Sequence, residues 1–262
     1  MHALTYERRR LTGVRSSWLI PVAVLAADAV VAELTLRQPG LADPIRVLTA
    51  GVPLLPLPLA ALGAGAVGAL SAGHEFRYPA PGGILRPLRR RFGLLLAKLL
   101  VVGVFAALLG AASLAVDGLL LRLGDHAAAA PIEAAARHGH VPAALVGYLA
   151  LTVAGGWIGL LGGVLLRSAA AGMLLLITVP ILTEPVAGAL AERGALASGG
   201  LRALHWRALF PVDRGHDWLY GTFSGLRSGT ALSTAELAVA VVVPILLLLG
   251  AYVLLLPRRS AL

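Results

Sequence analysis

Residues 94–121 read LLLAKLLVVGVFAALLGAASLAVDGLLL, and Lys98 and Asp117 are the charged residues among them. A helix of about 20 apolar residues crosses the roughly 30 Å hydrocarbon core of a bilayer. This stretch therefore predicts a transmembrane helix and, with it, an all-α membrane fold.

The composition of the whole chain supports that class. Of 262 residues, 58% are hydrophobic and 13% are charged, and the mean hydropathy is +0.84. Soluble domains are about a quarter charged, and a soluble domain this apolar would need more interior than its length encloses. These values argue against a soluble enzyme, a nucleic-acid-binding domain and a disordered protein. The chain has no Cys, which excludes disulfides and thiolate metal sites.

Six apolar stretches are predicted to span the membrane: 18–36, 51–71, 94–121, 141–166, 169–190 and 237–256. The first carries Asp28 and Glu33 and lacks a clear small-residue cleavage site, so it is interpreted as a retained span and not as a signal peptide. Arg167 and Ser168 alone separate the fourth and fifth stretches, which predicts an antiparallel helix pair.

The distribution of basic residues predicts the orientation of the chain. Arg and Lys concentrate before the first span, between the second and third, and after the sixth, and the net charge is +9. By the positive-inside rule both termini are cytoplasmic. The sequence predicts one transmembrane domain over 1–262, with a cytoplasmic amphipathic segment at 1–17, a cytoplasmic loop at 73–93 and an extracellular loop at 191–236. Because cytoplasmic loops and anionic lipid explain the basic excess, no nucleic acid partner is expected.

The cytoplasmic loop at 73–93 carries the most informative polar pattern. It contains Glu75 and Arg77, then a Pro/Gly turn, then Arg86 and the cluster Arg89 to Arg91, and Lys98 follows in the third span. This order resembles permease subunits of bacterial ABC transporters of the type 2 membrane class. Their second loop commonly reads Glu-x-Arg, Gly-Thr, Pro-x-Arg and then Lys some 24 positions from the Glu, and 75–98 here is 24 positions inclusive. The Gly-Thr element is absent, since Pro79 and Ala80 stand there.

The resemblance implies a multi-pass protein of the bacterial plasma membrane that does no covalent chemistry itself. It implies a homodimer or a pair with a sister permease, coupled to a separate cytosolic ATPase subunit, and a re-entrant helical segment between the fifth and sixth spans. Export as the direction of transport is likewise implied. The implied ATPase-coupling surface consists of Glu75, Arg77, Arg86, Arg89, Arg90 and Arg91. A phosphate-binding Gly-x4-Gly-Lys-Ser/Thr motif is absent around Lys98, the single Lys, so no cofactor is expected on this chain and ATP is expected on the partner.

Acidic and small residues inside the spans are further candidates for function. Asp28 and Glu184 are candidate members of a translocation path, although hydrogen bonding of Asp28 within the bundle is an open alternative. Glu33 and Asp117 are expected to reach the outer interface. No catalytic residue and no metal site is predicted. Gly155, Gly159 and Gly163 recur at four-residue spacing, which predicts close helix packing within the bundle or across a dimer.

Two other functions remain open from the sequence. An autonomous carrier driven by proton exchange through Asp28 and Glu184 would transport without any ATPase, although no inverted repeat is evident. A structural or assembly protein of the membrane would show no substrate-dependent phenotype. The sequence does not identify a substrate, because apolar linings accept many amphiphiles.

Overall fold

The computed structural model describes residues 13, 15–37, 48–49, 57–77, 88–124, 140–178 and 234–255. These residues contain no β-strand, so the predicted all-α class is confirmed for them. Their helices are α1 (Arg15–Leu36), α2 (Leu59–Arg77), α3 (Leu88–Gly124), α4 (His140–Leu166), α5 (Ala169–Thr178) and α6 (Thr234–Leu255).

Three helical stretches in the described part of the chain are long and apolar enough to cross a membrane: Trp18–Leu36, Gly93–Gly124 and Leu145–Leu166. Three shorter apolar stretches accompany them: Leu59–Gly73, Ala169–Thr178 and Ile245–Leu254. Large apolar side chains such as Leu108, Leu123 and Leu247 are exposed on the outside of the bundle. Apolar surface of this extent marks contact with lipid or with another protein, and the chain is a membrane protein by these features.

The first two helices differ from the predicted bounds at their starts. The first candidate span, Trp18–Leu36, agrees with the prediction, but α1 already begins at Arg15, so 15–17 belong to a helix continuous with the span. Helix α2 begins at Leu59 and not at 51. Pro58 precedes it, and its carbonyl accepts hydrogen bonds from the amides of Ala61 and Leu62 at 2.9 and 3.1 Å. Residues 1–12 and 51–56 lie outside the described residues.

Helix occupies both ends of the predicted cytoplasmic loop at 73–93. Helix α2 continues to Arg77 and α3 begins at Leu88, which leaves 78–87 as the connection. Pro79 disfavours helical geometry at the residue before it, and Pro87 stands immediately before the first turn of α3. Helix α6 similarly begins at Thr234, inside the predicted extracellular loop at 191–236.

The packing of apolar side chains shows that successive helices alternate in direction. Ile20 near the start of α1 packs with Ala72 near the end of α2, Val102 early in α3, Val164 late in α4 and Tyr252 late in α6. We call this level the Ile20 end. At the opposite level the last turns of α1 and α3 pack together through Ala32, Leu36, Leu120 and Leu121. The start of α1 and the end of α6 therefore lie at the same end of the bundle.

Helix α4 lies at the centre of this arrangement. It packs against α2, α3, α5 and α6, and its contact with α2 is the most extensive in the bundle, whereas α1 packs against α2 and α3. Trp157 fixes the level of α4 against α3, because its indole N–H donates to the Leu99 carbonyl at 2.7 Å. The site described below is built on the faces that α1, α3 and α4 turn towards one another.

The connection from α4 to α5 is the two-residue turn that the sequence predicts. Arg167 has a φ of 54°, in the left-handed region that a residue with a Cβ seldom adopts. Ser168 then caps α5, since its hydroxyl accepts from the Ala171 amide at 3.3 Å and its carbonyl from the Gly172 amide at 3.0 Å. The two helices consequently form an antiparallel pair.

Candidate functional site: a buried polar cluster between three helices

The face of α4 that carries Gly155, Gly159 and Gly163 lies against α2. A Cβ added at Gly155 would be 2.5 Å from the Ala61 carbonyl oxygen, and one at Gly159 would be 2.7 Å from the Cα of Gly65. Real Cβ atoms essentially never come that close to another atom. The two backbones are therefore in direct contact, with no room for a side chain between them. Within a single chain, the glycine repeat therefore packs inside the bundle, at the contact between α2 and α4.

Helix α5 joins the same close-packed unit. A Cβ at Gly172 would be 2.6 Å from the amide nitrogen of Gly163, and Gly73 near the end of α2 meets Ala169 at the start of α5. Because the close approaches are between backbones, no side-chain rotation can relieve an added methyl group. Helices α2, α4 and α5 therefore form a unit with little freedom to slide.

A buried polar cluster lies between α1, α3 and α4. We use this name for Asp28 on α1, Ser113 and Asp117 on α3, and Tyr148 on α4, all of which are fully buried. Asp28 is ten residues after Trp18, about 15 Å at the helical rise and so near the middle of its span. Polar side chains at this depth are costly and are normally paired or functional.

Hydrogen bonds connect the three helices through the Ser113 hydroxyl. Ser113 Oγ donates to Asp28 Oδ2 at 2.5 Å, and Ser113 Oγ lies 3.0 Å from Tyr148 Oη. A serine has one hydroxyl hydrogen. When that hydrogen is donated to Asp28, the phenol of Tyr148 must be the donor to Ser113. The result is a directed chain from Tyr148 through Ser113 to Asp28.

Asp117 completes the cluster but is the least satisfied member. It lies four residues after Ser113, so both side chains share one face of α3. The Asp117 carboxyl is also close enough to Asp28 for their charges to interact. Both Asp117 oxygens and Asp28 Oδ1 are buried without a hydrogen-bond donor from the described residues. Three buried carboxyl oxygens thus lack partners in one place, where native proteins normally leave few.

The expectation that Asp117 reaches the outer interface is therefore wrong. Its side chain is enclosed because the face of α3 that carries Ser113 and Asp117 packs inwards, towards α1 and α4. The same expectation for Glu33 agrees with the structure. Glu33 is exposed on α1, and its Oε1 lies 2.9 Å from Nη2 of Arg37 one turn later. The two acids differ because of the face on which each lies, and not because of their depth along the helix.

Ser113 and Tyr148 were missed from sequence, although each had a detectable signal. Ser113 and Asp117 are an i, i+4 polar pair in an otherwise apolar stretch, and Tyr148 and Thr152 form a second such pair on α4. Thr152 is fully buried and donates to the carbonyl of Tyr148 at 2.9 Å, so its hydroxyl is satisfied within its own helix. Two polar pairs at helical spacing indicate facing polar stripes.

The implied ATPase-coupling residues fall at the ends of two neighbouring helices. Glu75 and Arg77 are in the last turn of α2, and Arg89 to Arg91 are in the first turn of α3. Helices α2 and α3 are antiparallel and in contact, so these backbone positions lie towards the same end of the bundle, the Ile20 end. Arg86 and Glu184 lie outside the described residues, and so does most of 191–236 with the proposed re-entrant segment.

An open apolar groove of about 300 Å³ runs between α1, α2 and α5. Ile20, Val24 and Ala27 line it on one side, and Leu62 and Met173 on the other. Its described lining residues are all apolar. In the part of the chain that the structure describes, no three His, Asp or Glu side chains converge as a metal site.

Comparison of the chain with protein-family models, with curated proteins and with solved structures finds no match in any of the three.

Proposed function

We propose that this chain is the membrane-spanning permease subunit of an ATP-driven bacterial exporter whose ATPase is a separate polypeptide. The observation that carries the proposal is that two charged helix ends lie towards the same end of the bundle. The Glu-x-Arg element ends α2 and the Arg cluster begins α3, and the start of α1 and the end of α6 lie towards that Ile20 end as well. Charged positions collected at one end of a bundle suit the docking of a soluble partner of opposite charge.

The orientation predicted from basic residues supports this assignment. The starts of α1 and α3 and the end of α6 lie towards the Ile20 end, and in the sequence the Arg-rich stretches precede α1, begin α3 and follow α6. The positive-inside rule therefore assigns this end to the cytoplasm. An ATPase must bind on that side, where ATP is. The six predicted spans and two cytoplasmic termini belong to the same proposal.

The packing suggests how force from the partner would pass through the chain. Movement imposed on the ends of α2 and α3 reaches α4 directly, because α2 and α4 touch backbone to backbone. Helices α2, α4 and α5 then move as one body, while α1 is held against them through fewer contacts. The apolar groove lies along the seam between α1 and this body, where an amphiphilic cargo would find apolar walls.

The decisive experiment is purification of the tagged chain from its native host in a mild detergent, followed by mass spectrometry of stoichiometric companions. The proposal expects an ABC-type ATPase at about one copy per copy of this chain. The triple variant Arg89→Glu, Arg90→Glu, Arg91→Glu is expected to lose that companion, since charge reversal on one side of an interface costs several kcal/mol. The matched control is Arg122→Glu, an exposed position in the last turn of the same helix at the opposite end.

Two results would contradict the proposal. One is the reproducible absence of an ATPase from preparations in which the protein is folded. The other is retention of the ATPase by the triple variant at the wild-type ratio, which would remove the docking surface from the argument. Loss of the ATPase from Arg122→Glu as well would show a general charge effect and would equally count against a specific surface.

The buried polar cluster favours a second candidate, an autonomous carrier driven by protons. Asp28 is a buried carboxyl in a membrane span, the residue type on which proton relays are built. This candidate predicts transport into vesicles that contain this chain alone, driven by a pH gradient and abolished in Asp28→Asn. Transport that requires the ATPase and ATP would reject it. A structural or assembly protein would show neither form of transport.

A further inference from the structure

We propose that Asp28 and Asp117 form a buried proton-binding pair, in which the two carboxyl groups together hold one proton and Ser113 and Tyr148 supply the neighbouring hydrogen-bond donors. The site is a property of the fold, and it stands whether or not the permease proposal is correct.

The first step is the cost of the alternative in which both groups are ionised. An isolated buried carboxylate without a partner is so unfavourable that the group takes up a proton instead. Here two carboxyl groups are buried on either side of Ser113, and three of their four oxygens receive no hydrogen bond from the described residues. Two like charges sharing a site cannot both ionise without strong repulsion. One proton removes one charge and the repulsion together.

The second step is to identify the charged groups that face the pair. Helix α4 presents the neutral side chains Tyr148 and Thr152 at this level. On α3, Lys98 is 15 residues before Ser113, about 22 Å away at the helical rise. On α1, Glu33 points outwards to Arg37. The described side chains of α2, residues 59–73, include no charged residue. Arg122 on α3 is five residues after Asp117 and exposed, as is Arg37 after α1. In the described parts of these helices, no cation is therefore buried beside the pair.

The third step concerns the nature of the bound cation. Ser113 Oγ and Asp28 Oδ2 are already in direct contact at 2.5 Å, so a metal ion cannot lie between them. Calcium and sodium need several oxygen ligands around a cavity, whereas a proton needs only one oxygen and adds no volume. Two carboxyls and two hydroxyls, with Ser113 in direct contact with Asp28 and Tyr148, suit a proton better than a metal.

The hydrogen-bond chain favours one of the two positions of this proton. With the proton on Asp117, Tyr148 donates to Ser113 and Ser113 to an ionised Asp28. With the proton on Asp28, the ionised member is Asp117, whose two oxygens receive no hydrogen bond from the described residues. The proton is therefore expected to lie mainly on Asp117. The proton enters from water and returns to it, and no other reactant is involved.

Loss of the proton weakens the contact between α1 and α3. The deprotonated pair holds two adjacent negative charges on different helices, and their repulsion is relieved only when the helices separate or water enters. A proton is therefore expected to act as the ligand that closes α1 onto α3. Movement of α1 and exchange of the proton become linked events.

The test is infrared difference spectroscopy on the full-length protein in lipid nanodiscs, with no ATPase and no substrate required. A protonated carboxyl group gives a carbonyl stretch that ionised carboxylates lack, and that stretch shifts when water is replaced by heavy water. At neutral pH the wild-type spectrum is expected to contain such a band. Asp117→Asn is expected to lose it, because Asp28 then has no like charge beside it and keeps Ser113 as its donor. Asp28→Asn is expected to keep it, because Asp117 remains buried with no hydrogen-bond donor from the described residues. Glu33→Gln, an exposed acid on the same helix as Asp28, is the matched control and keeps the band.

A second measurement does not depend on the variants folding. The thermal midpoint of the wild-type protein is followed as the pH rises above neutral, with sodium or with N-methylglucamine as the sole cation. Since the proton is bound in the folded state, its removal lowers the midpoint at high pH, equally in both salts. Asp117→Asn, where it folds, is expected to lose this component of the pH dependence.

Three outcomes overturn the proposal. Absence of a heavy-water-sensitive carboxyl band from the wild-type spectrum means that both groups are ionised. A midpoint that rises specifically with sodium identifies a metal-ion site in place of a proton site. A band that persists unchanged in Asp117→Asn belongs to another carboxyl group. The infrared and thermal measurements use this chain alone, so they do not depend on whether it has an ATPase partner. Failure of the permease proposal is therefore distinguishable from failure of the proton-binding proposal.

Discussion

The α2–α4 contact makes a sharp prediction at Gly159. In Gly159→Ala the new methyl group would lie 2.7 Å from both the Cα and the carbonyl carbon of Gly65, and closer still to the Gly65 carbonyl oxygen. Carbon atoms pack best at about 3.5–4.0 Å, so the two helices must separate by roughly 1 Å. No rotamer change offers an alternative, because every atom in the clash belongs to a backbone.

The cost follows from what that separation does to the rest of the interface. A radial gap of about 0.5–1 Å forfeits a quarter to a half of each dispersion contact, and the loss extends along α4 to Gly155 and Gly163. Overpacking of a well-packed core costs about 1–3 kcal/mol. With backbone on both sides, we expect Gly159→Ala to lower the free energy of unfolding by about 3 kcal/mol, the top of that range.

The assay is reversible unfolding of the purified protein by sodium dodecyl sulfate in mixed micelles, followed by circular dichroism. Two glycines provide matched controls. On the same helix a Cβ at Gly162 would meet its nearest atom at 3.4 Å, an ordinary contact, and at Gly250 on α6 it would meet nothing within 4 Å. Both alanine variants are expected to unfold at or above the wild-type detergent fraction, since alanine favours helix over glycine. If Gly159→Ala unfolds together with these controls, the close α2–α4 contact is refuted.

Two further substitutions test the cluster and the turn by the same unfolding assay. Ser113→Ala removes the donor to Asp28 and is expected to lower the free energy of unfolding by about 1–3 kcal/mol. The control is Thr35→Ala, which is expected to lower it by less than about 1 kcal/mol, because the Thr35 hydroxyl donates to a carbonyl of its own helix. Equal losses in the two variants would contradict the inter-helix role of Ser113. Arg167→Gly is expected to be more stable than Arg167→Ala by about 1 kcal/mol. Both variants lose the charge, but only glycine adopts the positive φ of this position without strain. Equal stability of the two variants would argue against that backbone geometry.

Much of the fold could be predicted from hydropathy, because segments that contact lipid must be long, apolar helices. The bounds of the first, third and fourth spans agree with the helices to within a few residues, since long apolar runs leave little choice of register along the chain. The errors occur where proline controls the backbone. Pro58 delays the start of α2, and Pro79 and Pro87 flank the connection at 78–87, whereas hydropathy alone ended the second span at 71 and began the third at 94.

The candidate site was only partly predictable. Hydropathy predicts how deep in the membrane a residue lies, but not the face of the helix that carries it. Asp28 was correctly placed near the middle of its span, and the structure answers the open question of its environment with Ser113. Asp117 was misjudged because its position along α3 was considered without the face on which it lies. Which faces meet depends on the packing of α1, α3 and α4 together, and a single sequence does not contain that geometry in any local pattern.

The Ser113–Asp28 bond also has a consequence for how the protein is made. Its two residues are 85 positions apart, and ribosomes add about 5–20 residues per second. Asp28 is therefore synthesised roughly 4–17 s before its hydrogen-bond donor. A carboxylate at the centre of a lone helix disfavours insertion by about 3 kcal/mol. During that interval the Asp28 carboxyl of the first helix must be kept away from lipid by the insertion machinery or by a neighbouring protein. In the folded protein Ser113 provides its hydrogen bond.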